Sequence, residues 1–449
     1  MHNHNDQDPI NREALATLDR LWRENGPVHG FRYFADTAYA YSRPGSAGED
    51  PPEVVILGTG IPEALLMAFH IRYRYLLGGS HALAALSDDL VPRDTDPVSR
   101  SMLGSICSPD GARLSESLFI IPVSSDSMRK IAYLLREDGF QTLALDVPPD
   151  HADPRATEQW EKQLLRMMDA IAAHTRKRFS LHRLKKAVRA VTLAHYRLGE
   201  FLRSADGYCP ITGSGKILIR NSYYFAGDIE EWSENLNALM RAGNLRSPQQ
   251  ADAQTAPSRP RKEDRIREDG RPRKDDRPRK DDRPRKDGRP GILLTGSPVI
   301  FPNYKIPFLI EDAGLSLAEY LDASTVQQAD LLSPRSFCST AQAVHAIAGT
   351  SLKHDASAAF ICNDALMAAV DRVVRGGRIE GIIFHVLKGQ IEYDFEMARM
   401  EEMFESCEIP VFRIETDYQD HDIEQLRIRL EAFCEMLSQS RCNSGMKAV

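Results

Sequence analysis

The hydrophobic residues of this chain fall into short continuous runs separated by longer stretches of helical spacing. Glu53-Val-Val-Ile-Leu57 is the first run and ends in Gly58-Thr59-Gly60. Leu118-Phe-Ile-Ile-Pro122 and Thr142-Leu-Ala-Leu-Asp146 are two more strand candidates. Pro62–His70, Ser127–Glu137, Thr157–His174 and Leu181–Arg203 read as helices; in the last, Leu181, Leu184, Val188, Val191, Ala194 and Leu198 recur at close to helical spacing. The same grammar returns later in the chain. Gly291-Ile-Leu-Leu-Thr295 ends in Gly296-Ser297-Pro298, and Gly381-Ile-Ile-Phe-His-Val-Leu387 and Pro410-Val-Phe-Arg-Ile414 are further strands. Helices are predicted over Ala356–Val374, with Asp355 as its N-cap, and over Glu396–Ser406 and Asp422–Leu437. Apolar strands alternating with amphipathic helices imply parallel sheets covered on both faces. The expected fold class is α/β: two doubly wound, Rossmann-like parallel-sheet domains with accessory helices.

The stretch between the two halves has another character. From Ser247 to Pro290 large apolar residues are nearly absent, and a six-residue unit recurs as Arg271–Asp276, Arg277–Asp282 and Arg283–Gly288. Each unit carries a proline, which breaks any helix. Nothing in the stretch could offset the entropy of ordering it. The reading is a disordered, charged linker over 245–290, with a basic arm for RNA or an acidic partner as the alternative. The remaining divisions expected are an N-terminal helical or extended segment (1–50), a first α/β domain with a helical insertion (51–244) and a second α/β domain (291–449).

Charge and composition narrow the function classes. The 449 residues are 42% hydrophobic and 27% charged, as in soluble globular proteins, and the net charge is −7. Residues 259–290 hold fifteen Lys/Arg against nine Asp/Glu, a surplus of six, which leaves −13 on the rest. Folded parts that acidic make nucleic-acid binding an unsuitable main task. No apolar run reaches the roughly 18 residues a membrane span needs. Residues Met1–Asp6 show no signal-peptide pattern, so the expectation is a cytoplasmic protein. The seven cysteines, Cys107, Cys209, Cys338, Cys362, Cys407, Cys434 and Cys442, are scattered without a CxxC pair, so neither a disulfide framework nor a zinc site is indicated. Burial as small apolar residues is the expected role of the six other than Cys107, which could in principle be recruited as a metal ligand.

In doubly wound sheets, ligands bind beyond the carboxyl ends of strands. The loops after Leu57, Pro122, Thr295 and Leu387 therefore hold the candidate residues. Gly58-Thr59-Gly60 is half of a dinucleotide fingerprint, but Glu63 stands where its third glycine would be, so a tight turn is the preferred reading and no nucleotide cofactor is evident. Ser124-Ser125-Asp126 is first of all a helix N-cap cluster. The loop Asp88–Pro97 carries four carboxylates; turns and caps explain it better than a hard cation such as Mg²⁺.

In order along the chain, these segments resemble one family. Ile61-Pro-Glu-Ala-Leu65, Arg100-Ser-Met-Leu-Gly104, Ser124-Ser-Asp-Ser-Met-Arg129, Ile292–Pro298 with Lys305-Ile-Pro307, Ile383–Lys388 and Ile409–Tyr418 are similar to elements of the 2-hydroxyacyl-CoA dehydratase and benzoyl-CoA reductase subunits. The resemblance covers about Glu53 to Leu437 outside the linker. It implies two Rossmann-like halves, a homologous second subunit paired as a heterodimer, an ATP-dependent activator that delivers one electron, and a [4Fe–4S] cluster held between the halves by three cysteines. It implies either removal of water from a 2-hydroxyacyl-CoA through a ketyl radical or reduction of an aromatic acyl-CoA.

The sequence departs from that pattern at the metal. Asp96, Ser125 and Gly389 (or Gln390) stand at the three expected cysteine positions. Oxygen donors replace thiolates poorly in such clusters, and glycine offers no side chain. Two expectations follow. One is a dehydratase-type subunit, a carbon–oxygen lyase or acyl-CoA reductase if active, whose metal centre is altered or supplied by a partner. The other, which the ligand chemistry favours, is a protein with an eroded site that binds an acyl-CoA thioester, or merely pairs with a catalytic subunit as a non-catalytic scaffold or regulatory subunit. Candidate catalytic residues are Glu63, which could equally serve its helix dipole, and His385, which could equally be a core histidine bonded to backbone. Candidate substrate-binding residues are Gly58, Gly60, Ser124, Ser125, Gly296, Ser297 and Lys388, the last for a CoA phosphate.

Overall fold

The structure is a computed structural model that describes residues 8–43, 50–204, 211–242, 288–322, 337–354, 360–361, 363–405 and 409–446. Nearly all of the expected linker lies outside the described residues. The chain opens with helices α1 (Pro9–Asn25) and α2 (Phe31–Ser42), then runs β1 (Val54–Leu57), α3 (Glu63–Phe69) and β2 (Tyr73–Leu76). Helices α4 (His81–Ala85) and α5 (Pro97–Cys107) lead to β3 (Leu118–Val123), α6 (Asp126–Glu137) and β4 (Thr142–Asp146). Four helices follow: α7 (Ala156–Thr175), α8 (Leu181–Ser204), α9 (Gly213–Phe225) and α10 (Ile229–Ala242). The second half runs β5 (Gly291–Gly296), α11 (Lys305–Asp312), β6 (Ser316–Leu321), α12 (Thr340–His354), α13 (Asp364–Arg375), β7 (Gly381–Leu387), α14 (Glu392–Phe404), β8 (Val411–Thr416) and α15 (Ile423–Met446).

Both sheets are four-stranded and parallel throughout, in the orders β2-β1-β3-β4 and β6-β5-β7-β8. The α/β class with two parallel sheets is thus observed. Central strands β1, β3, β5 and β7 are buried at every position, which is why they read as unbroken apolar runs. The edge strands β2 (Tyr-Arg-Tyr-Leu) and β6 (Ser-Leu-Ala-Glu-Tyr-Leu) carry charged residues, and the apolar pattern did not reveal them. Helix α13 starts at Asp364 behind the N-cap Asn363 rather than behind Asp355. Asn363 Oδ1 accepts from the Leu366 amide, and the expected start falls among residues outside the described set. The helix expected at Glu396–Ser406 begins earlier, at Glu392, placing that carboxylate in its first turn. Cys338 is exposed, against the expectation of burial, and Cys107 is exposed as well.

The helices do not stay with the sheet nearest in sequence. The core of the first sheet includes Val344, Ile347 and Ala348 of α12, and Trp160 of α7 donates to Ser351 Oγ across that contact at 3.0 Å. The core of the second sheet includes Leu18 and Leu21 of α1, Phe34 of α2 and Ile217 of α9, packed with Ile292, Leu294 and Ile383. The halves therefore trade helices. Gly104 marks one close approach: a Cβ there would lie 1.8 Å from the Leu83 carbonyl oxygen, so only glycine lets α5 pack on α4. Gly104→Ala is expected to destabilise the chain by about 3 kcal/mol through overpacking, read as a lower urea midpoint with unchanged slope.

Candidate functional site

In each sheet the chain reverses its direction of winding beside the central pair, at β1/β3 and at β5/β7. Such a switch point leaves a crevice outside the carboxyl ends. Here the two crevices face each other and form one cavity of about 140 Å³. Gly58, Thr59 and Gly60 after β1 and Ser124 and Ser125 after β3 line it from one side; Pro298–Ile300 after β5 and Gln390, Glu392 and Tyr393 after β7 line it from the other. Asn221 and Tyr224 of α9 complete the wall. Asn221 also shapes the loop after β5, since its Nδ2 donates to the Val299 carbonyl (3.2 Å) and its Oδ1 accepts from the Phe301 amide (2.9 Å).

The residues at the three positions singled out for a cluster meet here. Asp96 is buried and caps α5: its Oδ1 accepts from the Ser99 amide at 2.9 Å and from Gln390 Nε2 at 3.2 Å. That second bond joins the two halves. Gly389 has φ +87°, and a Cβ would stand 2.7 Å from the Asp94 carbonyl oxygen and 2.9 Å from the Asp96 amide. Ser125 caps α6, its Oγ accepting from the Met128 amide at 3.2 Å. The loop Asp88–Pro97 is spent on turns and ion pairs, with Asp88 bound by Arg93 and Arg100. Among the described residues no group of three or more His, Cys, Asp or Glu stands together in a way that could hold a metal ion.

Gly58, Gly60, Ser124 and Ser125 thus lie on the cavity, with both glycines at positive φ in the turn after β1. Gly296, Ser297, Lys388, Glu63 and His385 do not line it. Ser297 ties β5 to β7, donating its amide to the His385 carbonyl (2.7 Å) and accepting at Oγ from the Leu387 amide (2.9 Å). Lys388 is turned away to Asp417 at 3.0 Å, and that carboxylate raises its pKa. Glu63 is the first residue of α3 and is buried, and burial raises its carboxyl pKa. It neighbours Tyr75 and Tyr223, whose hydroxyls are held well above the phenol range by burial and by the Glu63 charge. Tyr224, on the cavity wall, packs edge-on against both rings, at 5.3 and 5.2 Å. His385 is 4% exposed; its Nδ1 donates to the Ser297 carbonyl at 3.3 Å and its Nε2 has no partner among the described residues.

Two groups were missed in the sequence. Asn221 and Tyr224 sit on a helix with no motif, so nothing flagged them. Glu392 follows the β7 loop by three residues, and a helix start placed at 392 would have brought it to attention. It is half-buried, and burial, then the carboxylates of Asp96 and Asp126, raise its pKa. A larger cavity of about 660 Å³, between α1, α4 and the end of β2, holds none of the residues singled out above.

The family model for the D-component of 2-hydroxyglutaryl-CoA dehydratase matches residues 59–437. The chain belongs to this dehydratase family. The match runs from the cavity loop after β1 into α15, and so takes in both sheets. A D-component is by its description one part of a multi-component dehydratase, which implies a partner. A search of curated proteins returns no match. Among the described residues no helix of this D-component relative is long and apolar enough to cross a membrane.

Burial makes His385 a pH-sensitive element of the structure. Its pKa is pushed down from 6.5 to about 4 by desolvation. The folded state thus prefers the neutral ring, while the unfolded chain protonates near 6.5. Stability contributed by this group is present above that pH and is lost as pH falls toward 4, by about 3 kcal/mol in all. Urea titrations of the wild type are expected to show this fall, and His385→Leu to make it shallower, with His195, also pushed down to about 4 by burial, carrying a similar remaining part.

Proposed function

We propose that this dehydratase-family chain binds an acyl-CoA thioester with its acyl end in the crevice between the halves. It serves beside a homologous partner subunit and carries no [4Fe–4S] cluster of its own. The observation behind this reading is the meeting of positions 96, 125 and 389–390 at one cavity without a thiol among them. The residues present do not fit a cluster. The Asp96 oxygen is engaged by two donors, the Ser125 hydroxyl is spent on a helix end, and Gly389 has neither a donor nor room for one. Thiolates hold such clusters because they are soft, strongly donating ligands. The electron step is therefore assigned to the partner, and an ATP-dependent activator acts there.

The family description names a 2-hydroxyglutaryl thioester. The class of reaction expected of the complex is carbon–oxygen lyase, an inference that rests on family membership. Glu63 and His385 act in this reading as positioning residues. Glu63 stands behind the Tyr224 wall, and His385 supports the Ser297 loop that leads to Pro298–Ile300.

Iron and acid-labile sulfide, measured on the full chain after anaerobic purification, test the first part. No stoichiometric iron is expected; about four irons per chain would overturn it. Calorimetry with butyryl-CoA tests the second. Saturable binding is expected, weakened at least about tenfold by Thr59→Trp, which fills the crevice. Equal binding by that variant would move the site elsewhere, and absence of binding would favour the scaffold role.

A further inference from the structure

We infer that the crevice excludes anionic acyl groups and accepts a short, uncharged one. The inference as applied to thioesters rests on the acyl-CoA reading above; the charge selectivity itself rests on the cavity. A volume of about 140 Å³ has room for roughly five water-sized groups. Its apolar wall includes Leu77, Val98, Met102 and Met128, and methionines adapt readily to a methylene chain. Its only ionisable carboxyls among the described lining residues are Asp96 and Glu392, and no Lys, Arg or His lines it.

Four cations on the surrounding elements are committed elsewhere. Arg100 of α5 binds Asp88 and the Arg93 carbonyl, and Arg129 of α6 binds Asp146. Lys388 binds Asp417, and Lys305 binds Asp422 and two backbone carbonyls. Helix N-termini would ordinarily draw an anion toward such a crevice. Three of those beside the crevice are already answered by the chain. Asp96 caps α5, Ser125 caps α6 with Asp126 in its first turn, and Glu392 and Asp394 stand in the first turn of α14. A carboxylate-ended acyl group entering this space would lose its water, find no donor of positive charge and meet two carboxyl groups. Like charges brought together at a desolvated site weaken binding strongly. Glu392 and Asp96 are thus specificity-determining residues of the crevice.

Two measurements on the full chain separate this inference from the thioester reading. In calorimetry, butyryl-CoA is expected to bind at least about tenfold more tightly than glutaryl-CoA, with the gap narrowed in Glu392→Gln and Asp96→Asn. Glutaryl-CoA binding as tightly as butyryl-CoA would overturn the inference. Independently, Thr59→Cys places a thiol on the cavity wall for reaction with methanethiosulfonates bearing a methyl, a trimethylammonium or a sulfonate group, with modification located by mass spectrometry. Relative to the exposed Cys107 of the same chain, position 59 is expected to react at least about tenfold more slowly with the sulfonate than with the other two. Equal relative rates would overturn the charge selectivity. If no CoA ester binds while the thiol pattern holds, the thioester reading fails and the selectivity of the cavity stands.

Discussion

Four central strands, β1, β3, β5 and β7, are buried along their whole lengths, and each sheet must be covered on both faces. Neither half of the chain covers its own sheet alone. Helix α12 comes from the second half to pack on α7 over the first sheet, while α1, α2 and α9 come from the first half to cover the second. Hydrophobic burial scales with area and has no regard for order along the chain. Trading helices fixes the two sheets in one arrangement with their carboxyl ends facing, and the site depends on that arrangement.

Facing switch points make a crevice whose two walls come from different sheets. At that crevice the chain bonds to itself: Asp96 accepts from Gln390 across the halves, and Gly389 presses against the backbone of Asp94 and Asp96. Such a contact joins the halves directly. It also leaves the crevice small, apolar on its flanks and lined by two carboxyl groups, Asp96 and Glu392. These three properties decide what can enter more than any single reactive side chain does. Glu63 and His385 are both buried and do not line the cavity.

Much of the fold was legible because parallel strands buried on both faces leave an unmistakable apolar run. Leu118–Val123 and Gly381–Leu387 needed no tertiary information to be recognised. Tyr73–Leu76 and Ser316–Leu321 were not seen, since Arg74 and Glu319 interrupt runs that are already short. Helix α13 was placed too early because Asp355 and Asn363 are equally good caps in isolation, and packing of Leu366, Met367 and Val370 settles which one is used. Within the site, the loops after β1 and β3 were found from strand ends alone. Asn221 and Tyr224 were not, because they reach the cavity from a helix packed on the second sheet, and Glu392 was not, because its helix begins earlier than its apolar pattern implies.

The sequence by itself determined the α/β class, the ends of the central strands and the identity of the residues at positions 96, 125 and 389–390. Those are local properties: a run of apolar residues, a turn after it, a side chain that is or is not a thiol. Only the tertiary structure decided that the three positions share one cavity and that Lys388 turns away from it toward Asp417. It also decided that no cation faces the two carboxyl groups among the described lining residues. The physical reason is that charge acts through space, and which charges are near one another depends on how the two sheets are brought together.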